Sequence, residues 1–111
     1  MADRLFPDAL RFLSPTETLK NFAFDFADDI LASDSLHAVN SSVTAIDDEG
    51  TDVSATIVSG KNVSGTNLRA TIGAVTKDKN YLVTYRAIMT TSGEAVEKYL
   101  KVKARQMSAV G

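Results

Sequence analysis

The chain has 111 residues, enough for one small domain in which folding buries about two-thirds of the extended chain's surface. Its 12 Lys and Arg residues are offset by 14 Asp and Glu residues without a basic stripe, which disfavours binding of nucleic acid through its phosphates. The absence of cysteine excludes disulfides, thiolate nucleophiles and cysteine-based zinc sites. Because no apolar run reaches the roughly 18 residues that cross a bilayer and no signal-peptide pattern is present, we expect a soluble chain without a membrane partner.

The first 18 residues differ from the rest because their apolar side chains follow no clean period. Pro7 and Pro15, the chain's two prolines, interrupt them. A short turn of helix from Asp8 to Leu13 is one prediction, with Asp8 as its N-cap. Apolar segments of this size often mark interaction sites, so we predict an arm that either folds back on its own domain or docks on a neighbouring subunit. The candidate partner-binding residues of this arm are Leu5, Phe6, Leu10, Phe12 and Leu13.

Alternating apolar and polar residues then predict short strands separated by turns. The first strand begins near Thr18 and carries an aromatic inner face formed by Phe22, Phe24 and Phe26. The next predicted strands run over 39–46, 53–57 and 68–72, with an acidic turn at 47–50, a strand end at Ser59-Gly60 and turn residues at 62–66.

The clearest pattern is a β-hairpin between Tyr81 and Ala104, with turn residues at 91–94. Five residues of one parity form its first apolar face: Tyr81, Val83, Tyr85, Ala87 and Met89. The second apolar face consists of Val96, Leu100, Val102 and Ala104. A basic cluster, Lys98, Lys101, Lys103 and Arg105, is either a solvated strand face or the rim of a surface for an acidic partner. Its three lysines are therefore also candidate partner-binding residues.

These elements predict an all-β fold, an immunoglobulin-like antiparallel β-sandwich of six to eight strands with an extended N-terminal arm. We predict an arm at 1–18, a sandwich domain at 19–105 and a flexible tail at 106–111. Tyr81 starts the penultimate strand after a polar loop. It is either a core residue or a corner tyrosine whose hydroxyl bonds to upstream backbone.

The pattern of polar residues does not favour an enzyme. His37 is the single histidine, and the chain has neither a nucleophile elbow nor a glycine-rich phosphate loop before a helix. Two acidic groups, 25–29 and 47–52, offer oxygen atoms to calcium but do not match the twelve-residue calcium loop, and acidic turns also solvate hairpin ends. We therefore expect no catalytic residue, no metal and no cofactor.

Several segments resemble the small tailed-bacteriophage proteins called fibre-tail adaptors. They are the leader Met1-Ala2-Asp3-Arg4 with its following proline, Leu19–Phe26 with Asp25, the loop around Leu31, and Tyr81–Gly93 closing into Lys98–Arg105. This resemblance implies a non-enzymatic virion protein, made in the host cytoplasm. Its partners would be other tail, neck or fibre proteins, and its copies would be arranged in a ring.

Three alternatives remain open at the level of the sequence. A head decoration or head-to-tail connector protein would use the same sandwich. A carbohydrate-binding module would present an aromatic platform, for which Tyr99 is the one plausible outward aromatic on the better-defined strands. A small hydrolase would need a base and a nucleophile, which the sequence does not offer.

Overall fold

The structure is a computed structural model that describes residues 8–27, 30, 34–76 and 78–104. Nearly all of its regular structure is β-strand. The elements are β1 (Ala9–Leu13), β2 (Leu19–Asp25), β3 (Ser42–Asp47), α1 (Ser54–Ile57), β4 (Val58–Ser64), β5 (Asn67–Ile72), β6 (Asn80–Ile88) and β7 (Ala95–Ala104).

The strands form two sheets. The larger sheet has the order β1-β7-β6-β3 and the smaller one the order β2-β5-β4. β1 pairs with β7 in parallel, and the other pairings are antiparallel. The buried faces of both sheets contribute to one hydrophobic cluster. The predicted all-β sandwich is therefore confirmed, while its immunoglobulin-like character stays a prediction.

The terminal hairpin forms the centre of the larger sheet, as its alternation predicts. Odd-numbered residues of β6 from Tyr81 to Ala87 are buried, and they meet Leu100 and Val102 of β7. Across the core lie Leu68 and Ile72 of β5, both fully buried. Successive strand residues point to opposite faces, so each strand places one apolar row in the shared core.

An aromatic cluster joins the two sheets. The Tyr85 ring of β6 meets the Phe24 ring of β2 edge to face, with 4.9 Å between centroids, and lies 6.1 Å from the ring of Phe22. The Tyr85 hydroxyl donates a hydrogen bond of 3.0 Å to the Phe22 carbonyl oxygen. The predicted aromatic inner face of the first strand is thus confirmed, and Phe26 is fully buried beside it.

The third predicted strand is wrong, because residues 54–57 form the short helix α1. The Asp52 carboxylate accepts hydrogen bonds from the backbone N–H and the hydroxyl of Ser54, at 2.9 and 2.7 Å, and this favours a turn over an extended chain. Of the predicted apolar row only Ile57 is buried. The strand follows the helix, so Ser59 and Gly60 lie inside β4, at a register shift.

The second predicted strand starts three residues too early, because 38–40 form a turn. His37 fixes this turn: its Nδ1 accepts hydrogen bonds from the backbone N–H groups of Val39 and Asn40, at 3.2 and 3.0 Å. Val39 is 79% exposed. The histidine has a local structural role here.

Tyr81 is a corner tyrosine. Its ring is buried, and its hydroxyl accepts a hydrogen bond of 2.9 Å from the backbone N–H of Thr76, in the loop that leads into β6. This bond ties the loop between β5 and β6 to the larger sheet. The hydroxyl bond that the sequence suggested is confirmed.

Candidate interaction surface

Strand β1 lies within the stretch that the sequence assigns to an arm, and it forms one edge of the larger sheet. Its register with β7 runs from Ala9 opposite Leu100 to Leu13 opposite Ala104. The predicted helical turn over 8–13 is therefore wrong. Pairing with β7 satisfies backbone groups along the strand, whereas a helix of six residues leaves most of its terminal groups unsatisfied.

The two faces of β1 have different surroundings. Leu13 faces the core and is 5% exposed, and the guanidinium of Arg11, on the same face, lies 5.1 Å from the centre of the Phe22 ring. Leu10 and Phe12 have the opposite parity and are 42% and 50% exposed. Of the predicted partner-binding residues, Leu10 and Phe12 are therefore on the surface and Leu13 belongs to the core. Leu5 and Phe6 lie outside the described residues.

The strand register places two more apolar side chains on the outer face of the larger sheet, beyond Lys101. Leu10 pairs with Lys101, Lys101 with Leu82, and Leu82 with Ile46 on β3. Ile46 is also exposed. We call Leu10, Phe12, Leu82 and Ile46 the outer apolar patch. Leu82 and Ile46 were not identified from the sequence, and only the pairing of β3 with β6 brings them together.

The predicted basic cluster is divided between the two faces of β7. Lys98 has the parity of the buried residues. Its Nζ donates a hydrogen bond of 3.3 Å to the Asp25 carbonyl oxygen and lies 5.2 Å from the centre of the Phe26 ring. Lys98 thus links β7 to β2 across the end of the sandwich. Lys101 and Lys103 face outward beside β1, whereas Arg105 lies outside the described residues.

Positive charge surrounds the exposed part of β1. Within the described ranges, Arg11, Lys101 and Lys103 form no ion pair. The nearest acidic group along the strand is Asp8, whose carboxylate accepts a hydrogen bond of 2.7 Å from the Tyr99 backbone N–H and so holds the start of β1 against β7. A surface that combines apolar side chains with cations is suited to a partner with apolar and acidic groups.

The acidic groups serve mainly as hydrogen-bond acceptors in turns. The carboxylate of Asp47 accepts bonds from the backbone N–H groups of Thr51 and Glu49, both at 2.9 Å, and these bonds, the one from Thr51 above all, lower its pKa. Bonds from the Thr66 hydroxyl and the Ala27 backbone lower the pKa of Asp25. Among the residues that the structure describes, which exclude 28 and 29, no group of three acidic or histidine side chains could hold a metal ion.

A shallow groove of about 430 Å³ lies between β3 and β4, and its walls carry both serine side chains and small apolar side chains such as those of Val43 and Val58. Its lysine, Lys61, donates hydrogen bonds to the carbonyl oxygens of Ala38 and Ser41, at 3.0 and 2.8 Å. No histidine or carboxylate is among the groove's lining residues. The groove therefore brings no acid–base pair together.

Tyr99 is the candidate aromatic for a carbohydrate platform, and it is half-buried. Its hydroxyl donates a hydrogen bond of 2.6 Å to the carboxylate of Glu97. Its neighbours, Asp8 through backbone hydrogen bonding and Thr84 by strand pairing on β6, are not aromatic.

Along the described parts of the chain, no helix combines the length and apolarity needed to span a membrane. No protein-family model matches the chain, and no curated protein or solved structure matches it either.

Proposed function

We propose that the protein is a non-enzymatic structural component of a tailed-bacteriophage particle, an adaptor that bridges fibres or other components to the tail or neck. The bacteriophage part of this proposal rests on the resemblance of the leader, the 19–26 segment and the terminal hairpin to fibre-tail adaptors. The observation that supports an assembly role is the exposure of Leu10 and Phe12 on the edge strand β1. Large apolar side chains gathered on a sheet edge often mark a protein interface.

An arrangement of several copies in a ring suits a surface of this size. Burying the exposed half of Leu10 or Phe12 would contribute about 1 kcal/mol each, taken as half of the value for a whole side chain. One such contact is weak. Copies held in a closed ring engage their neighbours together, so the small contributions become collectively strong.

The order of the strands supports the immunoglobulin-like part of the proposal. In an immunoglobulin constant domain, strands B, E and D are neighbours in one sheet and C, F and G in the other. Assigning β2, β5 and β4 to the first set and β3, β6 and β7 to the second gives the same neighbours. The Tyr81 hydroxyl bond matches the corner tyrosine of such domains. Because a fold does not by itself imply a function, the proposed assembly role rests on the exposed residues of β1.

The test replaces both exposed side chains of β1 with the variant Leu10→Ser/Phe12→Ser. Because both side chains lie on the outer face, we expect the melting temperature, followed by circular dichroism, to change by only a few degrees. Incorporation into particles, measured by quantitative mass spectrometry of purified virions carrying the variant gene, should fall at least about tenfold. The matched control is Val39→Ser, which removes an exposed apolar side chain from the turn before β3, the strand at the opposite edge of the larger sheet from β1, and should assemble like the wild type.

Normal incorporation of the double variant would contradict the proposal, because the apolar residues of β1 would then have no role in assembly. Chemical cross-linking of intact particles separates the virion roles. Cross-links from Lys101 or Lys103 to tail or fibre proteins support an adaptor. Cross-links to the capsid instead support a head decoration or connector protein.

A further inference from the structure

Among the residues that the structure describes, β1 differs from the other sheet edges in being regular and uncovered. The edge of β3 is covered by residues 52–54, since the Val53 N–H donates to the Ala45 carbonyl oxygen and the Ser54 hydroxyl accepts from the Ala45 N–H. Register shifts interrupt β2 and β4, where Asn21 and Gly60 have positive φ angles. Bulges and covering segments are the usual protection of an edge against further pairing. In the described ranges, β1 has neither.

The hydrogen bonds of β7 show which backbone groups of β1 face outward. Tyr99 directs its N–H and carbonyl towards β1, because both bond to Asp8. Strand residues alternate, so the odd residues of β7 face β1 and bond to Ala9 and Arg11 in a parallel ladder. The N–H and carbonyl of Leu10, between them, therefore point to the free edge. The Leu10 carbonyl is held there by a 2.9 Å bond from the Arg11 side chain.

Charge decides what kind of strand this edge would accept. Arg11 projects on the core side of β1, and Lys101 and Lys103 flank it on the outer side. A second copy of this chain, paired antiparallel so that Leu10 lies opposite Phe12, would place two Arg11 side chains directly opposite each other. Like charges in that position destabilise a strand pair. A strand with an acidic residue opposite Arg11 avoids this repulsion. Its carboxylate can accept the hydrogen bond that the Arg11 side chain now donates to the Leu10 carbonyl oxygen.

We propose that the free edge of β1 binds an extended acidic segment of a partner protein by β-strand addition. In this segment apolar residues alternate with Asp or Glu. The partner's backbone bonds to the N–H and carbonyl of Leu10. Its apolar side chains pack beside the outer apolar patch, and its acidic side chains face Arg11. Backbone bonds supply affinity in this mode, while alternate side chains supply specificity. The inference rests on the proposed function and adds to it the partner's chemistry.

The test measures binding of labelled peptides to the full chain by fluorescence anisotropy. The probe alternates valine with glutamate, and its matched control alternates valine with lysine. We expect the glutamate peptide to bind at least about tenfold more tightly than the lysine peptide, a difference that 1.4 kcal/mol produces. Arg11→Glu should reverse this preference, because it changes the charge that faces the peptide and leaves every backbone hydrogen-bonding group of β1 in place.

Two substitutions of the same residue separate backbone pairing from side-chain docking. Leu10→Pro removes the free-edge N–H, and Leu10→Ser keeps it, while both remove the leucine side chain. Strand addition predicts that the proline variant binds the glutamate peptide at least about threefold more weakly than the serine variant. Equal loss in two folded variants would overturn strand addition. If the proline variant does not fold, hydrogen exchange of the wild type decides: strand addition predicts that the glutamate peptide protects the Leu10 amide, and an unprotected amide in the complex would overturn it.

The remaining outcomes distinguish this inference from the proposed function. Failure of the glutamate peptide to bind overturns strand addition, and the adaptor role still stands if Leu10→Ser/Phe12→Ser is excluded from particles. Self-association of the wild type in sedimentation velocity, lost on Leu10→Pro, would identify a second copy as the occupant and overturn the acidic partner. Peptide binding together with normal incorporation of the double variant would instead support the edge site and contradict the adaptor role.

Discussion

The hydroxyl of Tyr85 is a specific link between the two sheets, and Tyr85→Phe removes it while keeping the ring. At pH 7 the variant loses the bond to the Phe22 carbonyl oxygen, which contributes about 1 kcal/mol. The ring contacts with Phe22 and Phe24 are preserved, so the loss should not approach that of a cavity-forming substitution.

The size of this loss should depend on pH. Burial raises the pKa of Tyr85 in the folded protein above its ordinary value of 10.0. As the pH rises above about 10, the tyrosine ionises in the unfolded chain while the folded protein keeps it neutral, so wild-type stability falls. At pH 11 this ionisation favours unfolding by about 1.4 kcal/mol, from a tenfold excess of the ionised form. Phenylalanine does not ionise, so the variant should then be as stable as the wild type.

Urea denaturation of both proteins at pH 7 and pH 11, followed by circular dichroism, provides the assay. The other titrating groups are the same in both proteins, so their contributions cancel in the difference. The two proteins are compared by the urea concentration at the unfolding midpoint, with one slope of free energy against urea for both. This avoids the error of extrapolating the unfolding free energy to water. A difference that is the same at both pH values would refute the desolvation of Tyr85. An equal midpoint at pH 7 would refute a stabilising bond between the sheets.

Two further predictions concern the hairpin turn and the aromatic core. The carboxylate of Asp34 accepts hydrogen bonds from the backbone N–H groups of Thr91 and Ser92, which lower its pKa from 3.8 to about 2. Asp34→Asn should therefore be less stable than the wild type above pH 4, and the difference should shrink as the pH falls from about 4 to about 2; a difference at pH 2 as large as that at pH 5 in thermal melts would argue against this role. Phe24→Ala should cost about 3 kcal/mol, since the ring is half-buried against Tyr85, whereas Val39→Ala should cost less than about 0.5 kcal/mol. Equal denaturation midpoints for these two variants would mean that Phe24 does not contact the core.

The strands with a strict two-residue period were predictable from the sequence. The hairpin of β6 and β7, the aromatic strand β2 and the apolar row of β5 all place one face in the core, and a one-residue slip would expose that face. For Tyr81 the sequence left two roles open, a core residue or a corner tyrosine, and the hydrogen bond from the Thr76 N–H to its hydroxyl supports the second.

Errors arose where a side chain bonds to nearby backbone. Asp52 and His37 turn the chain at positions where alternation alone predicts a strand. Such local bonds compete with strand pairing, and hydrophobic periodicity does not report them. β1 was missed for another reason, since its partner strand lies about 90 residues away and its own apolar residues show no period.

The candidate surface was only partly predictable. Leu10, Phe12, Lys101 and Lys103 were identified by residue type, but the sequence does not reveal which neighbours they have. Strand pairing places these four residues on the outer face of the larger sheet and adds Ile46 from the far edge. Lys98 projects from the opposite face, towards β2. Parity within β7 could have separated Lys98 from the other two lysines.

The most direct test of the account is hydrogen exchange at the amide of Leu10 in the free protein and in assembled particles. We expect fast exchange in the free protein, where this N–H points to the open edge, with slower exchange at Ala9 and Arg11, which pair with β7. In particles the Leu10 amide should become protected, because a partner strand accepts its hydrogen bond. Unchanged fast exchange at Leu10 in particles that contain the protein would contradict the account.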